Sequence, residues 1–202
     1  MGSLFPFNTN WTREAQTDAG SSIKNELLSY VRYAPGAMAT ADVDWYVTST
    51  NMKVGSYTLA HSAPARGARN VTVTQTAVGA EDTNGTILVT GTDLSGATIT
   101  ETITPNGGAT VAGTKAFATV TSVVGAGWVI GEGNDTITVG FADVIGLPDK
   151  LSDTAQVLAA SKNNVKEATA PTVTVSDSVL ASNTVDLNTA MDGDGIAVYY
   201  LV

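Results

Sequence analysis

From Val71 to Val139 the chain repeats valine, isoleucine and threonine, punctuated by glycine, with few charged side chains among them. β-Branched residues are stiff at χ1 and fit a pleated, half-buried surface, so such a stretch builds sheet and little else. The runs Asn70–Thr76, Thr86–Thr90, Ala97–Thr104, Thr119–Val124 and Asp135–Gly140 each have the length of a strand. Between them stand Asp82-Thr-Asn-Gly85, Thr92-Asp-Leu-Ser-Gly96, Asn106-Gly-Gly108 and Gly131-Glu-Gly-Asn134, residue types that tolerate positive φ and close hairpins or short loops. Short strands at this spacing predict a mainly β chain, an antiparallel β-sandwich or jelly-roll.

Alternation gives each strand one aliphatic face and one face that is hydroxylated but uncharged, as at Thr98, Thr100, Thr102 and Thr104. Beyond Leu147-Pro148 a polar segment, Asp149–Glu167, leads to Pro171–Val175 and Thr184–Leu187, whose order reads as a returning hairpin. A tight hairpin turn is expected at Asp192-Gly-Asp-Gly195, followed by the apolar strand Ile196–Val202. An exposed apolar edge invites aggregation, so that last strand should lie inside a sheet or be covered.

Residues 1–56 differ from the body at 57–202 and read as an extension or arm. Ser22 is a candidate N-cap for Ile23, Leu27 and Val31, whose spacing of four places them on one helical face, and Pro35-Gly36 would end that short helix. Val43, Trp45 and Val47 alternate with polar residues and read as a strand or extended segment.

With 202 residues and 43% apolar content the chain can bury a proper core, and it has no cysteine, which excludes disulfides, thiolate metal sites and cysteine nucleophiles. Ten lysines and arginines face 19 acids, a net charge of −9 that repels a phosphate backbone and disfavours anionic membranes. No nucleic-acid or membrane partner is expected, and no apolar run approaches the roughly 20 residues needed to span a bilayer. The start, Met1-Gly-Ser-Leu-Phe-Pro-Phe-Asn8, lacks the basic and continuous apolar regions of a secretory signal.

Catalytic machinery finds little support. His61 is the single histidine, sits among Ser, Ala and Pro, and reads as a hydrogen-bonding structural residue. Asp192 and Asp194 share the spacing of a calcium loop, but Ile196 and Val198 stand where its later ligands belong. The glycine pairs around Trp128 precede no helix that could cradle a phosphate. Convergence of Glu81, Asp82, Asp93, Glu101, Glu132, Asp135 and Asp143 would be needed for glycosidase chemistry, and most of these read as turn residues. We therefore expect no enzyme, cofactor, metal or small-molecule substrate.

The phrases Arg69-Asn-Val-Thr-Val-Thr, Ile87-Leu-Val-Thr-Gly-Thr-Asp-Leu-Ser-Gly-Ala-Thr-Ile-Thr-Glu-Thr-Ile, Val111-Ala-Gly-Thr-Lys-Ala-Phe-Ala-Thr-Val-Thr-Ser-Val and Gly140-Phe-Ala-Asp-Val-Ile-Gly-Leu-Pro resemble virion proteins of tailed bacteriophages. The likeness spans about residues 61–151 and extends to Ala168–Val175 and the last strand. It implies a role similar to capsid decoration, or cement, proteins: β-rich, inert, often trimeric, made in the bacterial cytoplasm and bound to the major capsid protein on the head surface. Tail-fibre receptor- or glycan-binding modules and head–tail adaptors share the same composition and stay open as alternatives. A glycan site would draw on Phe117, Trp128 and Phe141, the aromatic residues of the sheet region. For protein contact the candidates are Trp11, Arg13, Tyr30, Arg32 and Tyr33, types that dominate interface energetics.

Overall fold

The computed structural model describes residues 29–76, 85–129 and 135–202, together with the backbone pairing of Ala15–Gln16 with Ser22–Ile23. The chain is mainly β, with 56% in strands and 4% helical, and its antiparallel sheets curl toward a half-barrel, consistent with the sandwich or jelly-roll expected from the residue pattern. In chain order the strands are β1 (Ala15–Gln16), β2 (Ser22–Ile23), β3 (Tyr30–Ala37), β4 (Asp42–Asn51), β5 (Gly55–Ser56), β6 (Arg69–Thr76), β7 (Thr86–Thr92) and β8 (Thr98–Ile103). There follow β9 (Thr110–Phe117), β10 (Thr119–Ala126), β11 (Thr136–Gly146), β12 (Val157–Lys162), β13 (Val165–Lys166), β14 (Thr172–Thr174), β15 (Thr184–Asp186) and β16 (Gly195–Leu201).

One sheet has the order β5-β10-β7-β8 and faces a second, β14-β15-β11-β6-β9, in which β4 also pairs with β11. A third sheet, β13-β12-β16-β3, covers the end of the molecule. Strand β11 is the spine that serves two cores. Thr136–Phe141 pair with β6 and β4 and send Ile137, Val139 and Phe141 into a core with Val71, Val73, Ile87, Val89 and Phe117. Further along, Val144–Gly146 pair with β15, and Ile145 enters a second core with Val185, Met191, Ile196, Val198 and Tyr200 beneath the third sheet. Two cores on one continuous strand make the sandwich and its end sheet mechanically continuous.

The facing sheets close along one side without a ladder. On β8, Thr98, Thr100 and Thr102 point outward while Ile99, Glu101 and Ile103 turn inward. The Glu101 carboxylate accepts hydrogen bonds from the Thr114 amide at 2.6 Å, the Thr114 hydroxyl at 2.9 Å and the Lys115 amide at 3.2 Å, capping the β9 edge. A Cβ at Gly113 would strike that carboxylate, so the smallest residue stands opposite.

β16 runs between β12 and β3, and Val202 exchanges backbone hydrogen bonds with Ser29, which answers the need to shelter this apolar strand. β14 and β15 form the expected returning pair. Two expectations are corrected. Instead of a helix from Ser22, the described residues show β2 at Ser22–Ile23 and Val31 within β3, while 24–28, including Leu27, lie outside the described residues. A cross-strand ladder with β16 gives β3 a partner along its length, and its exposure alternates with period two from Tyr30 to Ala34, which overrides the fourfold spacing. The Asp192–Gly195 turn closes no hairpin either: β15 and β16 are unpaired, and Gly193, at φ 96°, donates its N–H to the Met38 carbonyl, so the turn fastens β16 to the segment after β3.

Candidate interaction surface

The outward face of the third sheet is built by alternation. On β3, Tyr30, Arg32 and Ala34 point out, while Val31 and Tyr33 pack on the second core. On β16 the register places Tyr199 opposite Arg32 and Leu201 opposite Tyr30. Tyr30 and Tyr199 stack with ring centroids 6.2 Å apart, and the Arg32 guanidinium lies 5.9 Å from the Tyr199 ring centroid. Arg32 Nε also reaches the Tyr199 hydroxyl at 3.4 Å, a long hydrogen bond that holds that hydroxyl below the usual tyrosine range. The result is a row of aromatic, aromatic and cation, the composition of an interface anchor.

Next to this row β12 and β13 add Leu158, 50% exposed, and Lys166, while Tyr30 itself is 62% exposed. Large apolar side chains this open, side by side, mark a surface meant to be covered. A hollow of about 330 Å³ lies among Tyr30, Leu158, Ala159, Asn164, Lys166 and Tyr199. Another of about 130 Å³ lies between Arg32, Ala34, Asn163 and Ala197. The hairpin that carries Val165 and Lys166 turns on Asn163 and Asn164, both at positive φ (50° and 62°), as a two-residue primed turn requires.

Of the five interface candidates, then, Tyr30 and Arg32 meet on this face. Tyr33 turns to the opposite side, where burial pushes its hydroxyl above the usual tyrosine range. Trp11 and Arg13 lie outside the described residues. Tyr199 and Leu158 were not among the candidates. The alternation Ala197, Tyr199, Leu201 carries a readable signal for Tyr199, whereas Leu158 sits in an alanine-rich segment without one.

The other residues weighed for chemistry have structural partners. His61 stacks on Trp45 at 3.9 Å between centroids and donates from Nδ1 to the Trp45 carbonyl, while Trp45 Nε1 donates to the Ala63 carbonyl. Asp93 Oδ1 accepts from the amides of Ser95 and Ala97 and closes its own turn. Asp192 and Asp194 both face Lys162 Nζ, at 2.8 and 3.7 Å. Asp143 pairs with Arg69. Glu81, Asp82 and Glu132 lie outside the described residues. Phe117, Trp128 and Phe141 are buried in the first core, which removes them as a glycan platform. Among the described residues, no set of three His, Cys, Asp or Glu side chains gathers as a metal site, and no helix is long and apolar enough to cross a membrane. Compared with family models, curated proteins and solved structures, the chain matches none.

Proposed function

We propose that this chain is a structural protein that works by adhesion, a decoration or cement protein on the head of a tailed bacteriophage, with the major capsid protein and its own copies as partners. The observation that carries the adhesive part is the outward face of the third sheet, where Tyr30, Tyr199 and Arg32 stack beside exposed Leu158 on a rigid ladder. A sheet whose opposite face is packed into a core presents such a row with little loss of conformational freedom on binding. The capsid part of the reading is supported by the resemblance of residues 61–151 to virion proteins. A cement protein adds contacts across the joints between capsid subunits, which a pressurised, DNA-filled head must break to open. No bond is made or broken in that role.

The test is the position and copy number of the chain in purified particles of the phage that encodes it, by quantitative mass spectrometry and immunogold labelling. Hundreds of copies over the head are expected. A handful of copies at the tail would replace cement with a tail module, and absence from particles would end the virion reading.

A further inference from the structure

No carboxylate lines either hollow on the outward face of the third sheet, in a chain that has 19 acids and 10 bases. Arg32 and Lys166 stand there without an ion pair among the described residues. The complementary feature lies on β4. Between its Val47–Val139 and Asp42–Phe141 pairs, β4 takes five residue steps against two on β11. Such a bulge re-aims side chains. Val43 is thrown outward, 46% exposed, with a carboxylate on each side. Asp42 Oδ1 accepts the Asp44 amide at 3.1 Å, and no lysine or arginine among the described residues pairs with either acid. The hydrogen bond and charge of Asp42 raise the pKa of Asp44, the behaviour of two carboxylates held together without a cation.

The cationic, aromatic patch begins at Tyr30, the start of β3, and the acidic bulge follows the end of that strand. Five residue steps, about 16 Å at roughly 3.3 Å each, separate Arg32 from Ala37 at the end of β3, and no hydrogen bond or ion pair among the described residues joins the patch to the bulge. We propose that copies of this chain associate head to tail, the Asp42-Val43-Asp44 bulge of one copy docking on Tyr30, Arg32 and Tyr199 of the next. In the contact Val43 enters the hollow beside the tyrosines and the two carboxylates meet Arg32, a charge-assisted pair whose planar geometry suits a guanidinium. Because the two patches differ, the contact is heterologous and repeats from copy to copy, giving a ring where the rotation closes and a filament where it does not. This inference rests on the adhesive reading of the face and assigns that face to the chain's own copies.

The test uses the purified chain alone, without capsids, so its outcome is separate from that of the particle experiment. Sedimentation velocity over a concentration series compares wild type, Arg32→Glu, the double variant Asp42→Lys/Asp44→Lys, and all three changes in one chain, each verified as folded by near-ultraviolet circular dichroism. Wild type should sediment as a multimer. Each reversal should weaken association at least tenfold, and the combined variant should recover it, since its charges are exchanged rather than lost. A monomeric wild type, an unchanged Arg32→Glu variant, or a folded combined variant that stays dissociated overturns the proposal. Arg32 is exposed and lies on β3, outside the bulge, so should the bulge variants fail to fold, Arg32→Glu together with Tyr30→Ser tests the contact from the other side, and association unchanged by that pair overturns the proposal.

Discussion

Arg69 and Asp143 meet at 2.8 Å at the joint between the two cores, the arginine side chain 1% exposed and the aspartate 24%. The guanidinium also donates from Nε to the Ala142 carbonyl at 2.7 Å and from Nη1 to the Ala39 carbonyl at 3.0 Å, and it lies 4.7 Å from the Phe141 ring centroid. One cation thus ties β6, the irregular stretch of β11 and the link between β3 and β4. Burial lowers the Arg69 pKa, and the opposing charge of Asp143 offsets part of that cost.

Removal of the aspartate strands a charge. Asp143→Ala leaves the Arg69 guanidinium in the core with two carbonyl partners and no counter-charge, and the expected loss is about 3 kcal/mol. Arg69→Met, which removes the charge and keeps most of the volume, should cost less than Asp143→Ala. Urea unfolding of the two variants checks the order, and an Asp143→Ala loss under about 1 kcal/mol would show that the pair does not hold the joint.

Asn183 plays the corresponding part among loops. It is fully buried, its Oδ1 accepts the amides of Leu151 and Ser176 at 2.9 Å, and its Nδ2 donates to the carbonyls of Ser176 and Val179 at 2.8 and 3.0 Å. Asn183→Asp keeps the shape but removes both donors and buries a charge, so it should destabilise by about 2 to 3 kcal/mol. Asn183→Leu should cost at least as much, because it leaves five backbone groups of these loops, the Leu180 carbonyl at 3.2 Å included, without their side-chain partner. Thermal unfolding of both variants, with hydrogen exchange at Leu151 and Ser176, tests the assignment.

The sheets were legible in the sequence where alternation was strict. β6, β7, β8, β10 and β11 fall on runs of threonine with valine or isoleucine, because inward and outward positions demand different side chains there. β12 escaped notice: Val157-Leu-Ala-Ala-Ser-Lys162 has neither alternation nor β-branched enrichment, and its pairing with β16 makes it a strand. Asn163-Asn164 after it is a turn signal, since asparagine tolerates the positive φ that both residues adopt. Tyr30, Arg32 and Tyr33 could be picked out by residue type, but which of them faces out is decided by register with β16. Arg69 gave no sign of burial, since Asp143 lies 74 residues away and only the folded sheet brings them together.

Glu101 offers a test of how the sandwich is closed. Glu101→Ala exposes the Thr114 and Lys115 amides at the β9 edge and removes the carboxylate that caps both, leaving the Lys115 Nζ bond to the Thr100 carbonyl across the seam. Because the site is partly open to water, which replaces some of the lost bonds, the expected cost is about 1 to 2 kcal/mol. Amide exchange at Thr114 and Lys115 should accelerate while the β6–β11 ladder keeps its protection. Unchanged exchange at those two amides would mean that the seam is held by something else.

The turn before β16 carries the pH dependence that is easiest to read. The hydrogen bond and charge of Lys162 hold Asp192 below its ordinary carboxylate pKa, and Asp192 in turn raises that of Lys162. For the acid, a folded pKa below the unfolded one means a contribution present above about pH 3.9 and lost as pH falls through the folded value. For the lysine, a raised folded pKa means a contribution present below about pH 10.4 and lost as pH rises through the folded value. Carboxyl-detected NMR should show Asp192 titrating below an exposed aspartate, and Lys162→Met should return it to the ordinary range. The same substitution frees the Ala190 carbonyl, which Lys162 Nζ holds at 2.9 Å, so it should also loosen the Asp192–Gly195 turn and speed amide exchange at Gly193. An Asp192 titration that does not move in Lys162→Met would assign its low pKa to the turn backbone and leave β12 without this tie to β16.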